Sequence, residues 1–330
     1  MTVRALLYDA DGRDQPFDMA IGALPPLTDR QLLWVDVIGD DPGELRRVSD
    51  LFQFHRESLR TLLEPVGRPG LDQYQQYVQL TVTAVEPGPA MNSAAAEAIW
   101  KPVALDCFFG SNFVVTVHAE PLHSLSEFDH HIREDSNLGA LDSAAFLASL
   151  LDWHITSYFR VIEEFEEAVD DLDESVLLDP NDREFLQELV ALRRRVGQLR
   201  RLLAPHREVF STLAHTDVQT IGKSDSAAHF RTLYDRFERA MDSTEHAREL
   251  IVGLFDLYMT STARQTNEAV QVLTIITVSL GIVGAVAGLM GVNFTVEFFK
   301  SGTRGFLVMI AIIVALIFLA LLLARRRRWI

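Results

Sequence analysis

Residues 269–296, AVQVLTIITVSLGIVGAVAGLMGVNFTV, contain no ionisable side chain, and residues 305–324, GFLVMIAIIVALIFLALLLA, contain none either. A bilayer core is crossed by roughly 20 apolar residues in a helix, so each run is long enough to span one. A single run of this kind also suits a buried core helix. Two in tandem, separated only by residues 297–304, are hard to bury in a chain of 330 residues. The reading is a two-span membrane anchor. Arg325, Arg326, Arg327 and Arg328 follow the second run directly, and an excess of arginine marks the cytoplasmic side. The C-terminus is therefore expected inside, with Trp329 as an interfacial anchor. An even number of spans puts the N-terminal part inside too, with the protein in the cell membrane and lipid as a partner.

Outward from these spans the chain is acidic. Its formal charge is −16, from 30 basic and 46 acidic residues, and −20 once the four terminal arginines are set aside. Such a body repels phosphate backbones, so a nucleic-acid partner is disfavoured, and it gathers cations, although acidic surfaces also serve solubility alone. With 48% apolar and 23% charged residues the composition is globular and excludes a disordered or collagen-like chain. Cys107 is the only cysteine, so neither an internal disulfide nor a thiolate metal cluster is available, which points to a reducing compartment. Its setting, Asp106-Cys107-Phe108-Phe109, suits a structural thiol. The start of the chain reaches Asp9 too soon to build a signal-peptide core.

The N-terminal part alternates strand and helix patterns. Leu32 to Val37 reads as a strand, and Asp41-Pro42-Gly43-Glu44 as a capped helix start followed by Leu45, Val48, Leu51 and Phe52 at helical spacing. Tyr77 to Val85 alternates with period two, and Cys107 to Phe109 with Phe113 to Val117 forms a hairpin around Gly110-Ser111-Asn112. Beyond about residue 135 the strand signal ends. Residues 142–179 and 181–215 read as two long helices broken at Asp179-Pro180. The first is acidic (Glu163, Glu164, Glu166, Glu167, Asp170, Asp171, Asp173, Glu174) and the second basic (Arg193, Arg194, Arg195, Arg200, Arg201). The acidic run reads as a solvated face paired with the basic arm, or as a cation reservoir near a pore. From Ala227 a third helical pattern runs without a stop to about residue 290, a rod on the order of 95 Å that needs partner helices along its length.

The first span ends in Gly291-Val292-Asn293, and Thr266-Asn267-Glu268-Ala269-Val270-Gln271-Val272-Leu273-Thr274 lies one span upstream. Together with Phe230-Arg231, Tyr234-Asp235, Leu254-Phe255-Asp256-Leu257-Tyr258, the strand Leu33-Trp34-Val35-Asp36 and the ending Arg328-Trp329-Ile330, this resembles the CorA-type divalent-cation transporters. Their Gly-Met-Asn signature has Gly-Val-Asn and related variants in divergent branches that include the zinc transporter ZntB. The resemblance covers nearly the whole chain. It implies a funnel-shaped homopentamer: an α/β cytoplasmic domain over 1–135, helical hairpin arms over 136–226, a stalk over 227–268 continuing into the first transmembrane helix 269–293, an outer loop 294–304, the second transmembrane helix 305–324 and a basic tail 325–330.

By the same resemblance Gly291, Val292 and Asn293 form the selectivity filter, Asn267 a second polar ring and Asp256 an acidic ring below it, while Val270 and Leu273 form an apolar gate. Thr277, Gly281, Gly284 and Gly288 complete the pore lining. Amide and carbonyl oxygens suit Mg²⁺, which holds its hydration shell tightly. Each residue also has a plainer role open to it. Asn293 is able to cap the span, Asn267 to set helix register and Asp256 to be a surface acid. Val270 and Leu273 are able to face lipid or another helix, and the glycines to permit close helix approach. Three features depart from the magnesium-channel pattern. Glycine replaces a bulky Met and a Thr at positions 281 and 284, with Ile282 where a Pro stands. The outer loop holds Glu297 with Lys300 and Arg304, and the interface-sensor acid reads as Thr232, leaving Asp235 as the nearest candidate for regulatory Mg²⁺.

The implied function is transport of Mg²⁺, with Co²⁺ or Ni²⁺ as further cargo. Its rivals are a ZntB-like proton-coupled Zn²⁺ carrier and a non-conducting cation sensor. No resident cofactor and no enzyme activity are expected: Ile221-Gly222-Lys223-Ser224 lacks the upstream glycine of a phosphate loop, and no nucleophile elbow is present. His118, His123, His130 and His131, and His246 with Glu249, match no standard zinc spacing and read as surface residues.

Overall fold

The computed structural model describes residues 2–10, 14–19, 24, 26–63, 68–87, 100–132, 142–178, 183–215, 226–291 and 302–326. They divide into two compact units, Met1–Ser175 with Arg183–Leu254, and Val176–Asp182 with Phe255–Ile330.

The first unit is built on a seven-stranded sheet. Its strands are β1 (Thr2–Asp9), β2 (Gln15–Pro16), β3 (Gln31–Ile38), β4 (Gly70–Gln73), β5 (Tyr77–Pro87), β6 (Trp100–Gly110) and β7 (Phe113–His118), in the spatial order β2-β1-β3-β7-β6-β5-β4. The β3–β7 pair is parallel and all other pairs are antiparallel. The expected strand at Leu32 is thus an interior strand, third of the seven and next to the central β7, and the expected hairpin at Gly110 joins β6 to β7. Strand β3 is covered on both faces. Leu33, Val35 and Val37 join Leu45, Val48 and Phe52 of α1 (Pro42–Phe52) in one core, where Phe54 stacks on Phe108 at 4.3 Å. On the other face Trp34 meets Phe128 of α3 (His123–Ile132) and Phe146 of α4 (Ser143–Leu178) at 5.9 and 5.6 Å.

Capping fixes α1 as its sequence suggests. The Asp41 carboxylate accepts from the Gly43 and Glu44 amides at 2.7 and 3.2 Å, and Pro42 takes the first turn, where its missing N–H has no partner to lose. A short α2 (Arg56–Leu62) follows. The expected helix over 181–215 is two helices, α5 (Arg183–Leu203) and α6 (His206–His215). Pro205 lies between them; it has no N–H to donate to the carbonyl four residues back, and its ring clashes there.

The break at Pro205 turns α6 onto the sheet edge. Strand β4 pairs with β5 only as far as Thr81, so the backbone of Thr83 lacks a neighbouring strand on that side. Side chains take the strand's place. The Thr83 N–H donates to His206 Nε2 at 2.8 Å, and the Tyr158 hydroxyl donates to the Thr83 carbonyl at 2.7 Å. His206 Nδ1 faces the Leu202 carbonyl at 2.9 Å and His154 Nε2 faces the Tyr158 hydroxyl at 2.9 Å. Burial pushes His154 down to about 3 and His206 down to about 4. On its other side α6 holds the long helix α7 (Ser226–Gly291), with Phe210 against Phe237 at 4.7 Å and Arg207 Nε on Glu238 at 2.8 Å.

One further expectation is corrected. His118 is buried rather than on the surface, its Nε2 3.0 Å from Asp36 Oδ1, while His123, His130, His131 and His246 are exposed. Of the basic arm, Arg200 pairs with Glu245 of α7 at 2.9 Å, and Arg195, whose charge burial disfavours, lies in the field of Glu164 on the acidic helix.

The second unit contains residues Phe255–Gly291 of α7 and the whole of α8 (Thr303–Arg326). Both helices are long and apolar enough to cross a membrane, and neither apolar stretch is buried inside the protein. A buried core helix is therefore excluded for both.

Candidate permeation site

Helix α7 turns about 100° per residue. On that basis Asp256, Asn267, Val270, Leu273, Thr277, Gly281, Gly284, Gly288 and Gly291 all fall within about 120° of its circumference. This common arc is what the 3- and 4-residue spacings dictate. The helix is continuous through all of them, so the arc forms one uninterrupted stripe. Thr274 falls on the same arc and was not among the expected lining residues; its signal in the sequence was the same spacing, seven residues after Asn267.

The stripe lies on the exposed part of the helix circumference. Gln271, Ile275, Ser279, Ile282 and Val286 are half-buried and centre about 140° away from it. Helix α8 also has a half-buried line, in Gly305, Met309, Ile313, Ile317 and Ala320. The stripe itself stays uncovered. Val270 is 53% and Leu273 63% exposed, Asp256, Asn267 and Thr277 are exposed, and a Cβ built on Gly281, Gly284 or Gly288 meets nothing within 4 Å. These three glycines therefore serve no close packing within one chain.

The polar groups of the stripe are oriented by their own helix. Thr277 Oγ1 donates to the Leu273 carbonyl and Thr274 Oγ1 to the Val270 carbonyl, at 2.8 and 2.7 Å. Each hydroxyl hydrogen is thereby used, and the oxygen lone pairs remain as acceptors, the polarity that the water shell of a cation requires. Val292, Asn293 and Glu297 lie outside the described residues, and Gly291 is the last residue of α7. Asp235 is exposed on the part of α7 in the first unit. Among the described residues no three His, Cys, Asp or Glu side chains gather as metal ligands, at Asp235 or elsewhere.

Residues 29–327 match the family described as CorA-like Mg²⁺ transporter protein. The chain belongs to that family. It is 25% identical over 297 residues to the cobalt/magnesium transport protein CorA of Thermotoga maritima, covering 90% of this chain and 83% of that one. The structure of the CorA magnesium transporter from Methanocaldococcus jannaschii aligns over 100% of both chains at a TM-score of 0.75 with 19% identity. The ZntB cytoplasmic domain from Vibrio parahaemolyticus aligns at 0.63 with 12% identity, over 80% of this chain and 100% of that one. The CorA-like fold thus extends through both units, as the α/β domain, long helix and two apolar C-terminal helices require, and the CorA relationship stands ahead of the ZntB one. This is a membrane protein of a transporter family.

Proposed function

We propose that this chain conducts Mg²⁺, with Co²⁺ and Ni²⁺ as further cargo, down its electrochemical gradient through a pore lined by the α7 stripes of a homopentamer in the cell membrane, both termini on the cytoplasmic side. The observation that carries this is the uncovered stripe itself. Within one chain it is a strip of hydroxyl, amide, carboxylate and bare glycine backbone opposite the half-buried side of α7. Repeated around an axis it becomes a lined channel.

The roles follow the order along α7. Asp256 concentrates cations at the cytoplasmic end and Asn267 offers amide oxygens to their water shells. Val270 and Leu273 form the narrow apolar stretch, which closes by expelling water. Above it the glycine positions leave a wide, backbone-walled passage. Asn293, repeated by symmetry, presents amide oxygens without a fixed charge that traps the ion, and passes Mg²⁺ with much of its shell in place, because that ion dehydrates reluctantly.

The test is divalent-ion flux into liposomes holding the purified protein, with Mg²⁺, Co²⁺ and Zn²⁺ compared with and without a pH gradient. Mg²⁺ flux indifferent to pH is expected. Proton-linked Zn²⁺ flux moves the chain to the zinc carriers, and no flux of any ion leaves a non-conducting sensor. Asn293→Ala is expected to abolish uptake with assembly intact, and unchanged uptake removes the filter role.

A further inference from the structure

A cleft of about 390 Å³ opens between α3, α4 and α7, wholly within the first unit and apart from the permeation stripe. Its volume falls in the range of small-molecule sites. Buried Phe128, Ile132, Ala148 and Leu233 make an apolar floor. Helix α4 adds Ser149, Asp152 and Trp153, and α7 adds His229 and Thr232. These spacings of three and four residues turn one face of each helix into the cleft.

The lining is rich in hydrogen-bond acceptors. Ser149 Oγ donates to the Ala145 carbonyl and Thr232 Oγ1 to the Ala228 carbonyl, both at 3.1 Å, so each hydroxyl hydrogen is spent and the oxygen lone pairs remain. Asp152 Oδ2 accepts from Arg236 Nη1, while Oδ1 has no partner among the described residues. Arg236 itself is fully engaged. Its Nη2 donates to Thr156 at 2.8 Å, and its guanidinium carbon lies 5.8 Å from the centre of the Phe159 ring. The Trp153 ring, with His131 against it at 5.4 Å, adds an aromatic wall.

This inventory separates three classes of ligand. An anion finds no lysine or arginine in the lining. A metal ion finds one carboxylate, with which His131 and His229 do not gather as ligands. An organic cation finds Asp152 Oδ1, Ser149 Oγ and Thr232 Oγ1, three acceptors for the three N–H bonds of a primary ammonium. It also finds an aromatic face, which attracts cations, and an apolar floor for its carbon body. We propose that the cleft binds a primary amine, as its ammonium ion carried on a compact apolar body. The site lies within one unit and does not rest on the transport reading, which its failure would leave untouched.

The test is isothermal titration calorimetry of the full chain in detergent at pH 8, with the heats of protein-free micelles subtracted. The probes are phenethylamine, 2-phenylethanol, which keeps the body and loses the charge, and phenethyltrimethylammonium, which keeps the charge and loses the N–H donors. Saturable binding of phenethylamine is expected, with each analogue about tenfold or more weaker, because hydrogen bonds from a charged donor are roughly twice as strong as neutral ones. Ser149→Ala combined with Thr232→Val removes two acceptors at exposed positions and is expected to weaken phenethylamine about tenfold. Thr212→Val, which removes a hydroxyl bonded in the same way to the Glu208 carbonyl of α6, is expected to leave it unchanged. Thermal unfolding of each variant is compared with that of the unaltered protein, so that lost binding is not mistaken for a lost fold. No saturable heat with phenethylamine, equal affinity for either analogue, or unchanged affinity in S149A/T232V overturns the proposal.

Discussion

Acidifying the protein from pH 7 to pH 4 is expected to cost it about 3 kcal/mol of folding stability, and the edge-capping histidines are the cause. His206 is held down to about 4 and His154 to about 3, chiefly by burial, against the ordinary 6.5. A group with a depressed folded pKa contributes stability above its unfolded pKa and loses it as pH falls through the folded one. At pH 4 each histidine has thus lost roughly 3 kcal/mol. Asp106 opposes them. Burial raises it to about 6 from 3.8, with the Thr81 hydroxyl bond acting the other way, so its stability is present below pH 3.8 and lost as pH rises through 6. On the way down to pH 4 it returns about 3 kcal/mol. Two protons against one leave the net loss. The assay is urea unfolding of the purified chain in detergent at a series of pH values, followed by the fluorescence of Trp34, Trp100 and Trp153. In His206→Phe, which also leaves the Thr83 N–H without an acceptor at a cost of about 1–3 kcal/mol, the pH dependence between 7 and 4 should nearly vanish. In Asp106→Asn it should roughly double. A wild-type curve as flat as that of His206→Phe would refute the account of the sheet edge.

Two further outcomes follow from packing. Gly281→Met fills open space on the stripe, since a Cβ there meets nothing within 4 Å of its own chain; assembly and thermal stability should hold while Mg²⁺ flux falls about tenfold or more as the passage narrows, and undiminished flux would place the glycines against lipid. Phe54→Ala removes a ring stacked on Phe108 and packed on Phe52 and Tyr77; a loss of about 3–5 kcal/mol is expected in the same unfolding assay.

What the sequence disclosed depended on how far apart the deciding residues lie. The strand at Leu32, the cap at Asp41 and the hairpin around Gly110 are each set by a handful of neighbouring residues, and each stands where the local pattern puts it. The stripe on α7 was legible for a similar reason, because one helix fixes its own phase. Features made by distant partners were not legible. His118 is buried by Asp36 on a strand 82 residues away. Strand β4 is four residues, Gly70 to Gln73, with no apolar alternation, and exists through pairing with β5. Pro205 was within reach of a local reading, but the helical pattern on either side of it outweighed the one residue that cannot continue it. The uncovered state of the stripe was beyond sequence altogether, since spacing gives a face and only packing says which face is left free.

That uncovered side also has a genetic meaning. A protein whose working surface lies inside one chain keeps half its activity when one of two gene copies fails. In the proposed pore each chain supplies only a strip of wall, so a defective strip spoils every ring that it enters. In the proposed pentamer, equal amounts of sound and defective chains leave only about 3% of assemblies wholly sound. A lesion on the α7 stripe that spares assembly is therefore dominant, whereas one that unfolds the sheet removes its chain from the pool and is recessive. Crossing the two kinds of variant with the normal gene would sort stripe residues from fold residues without a purified sample.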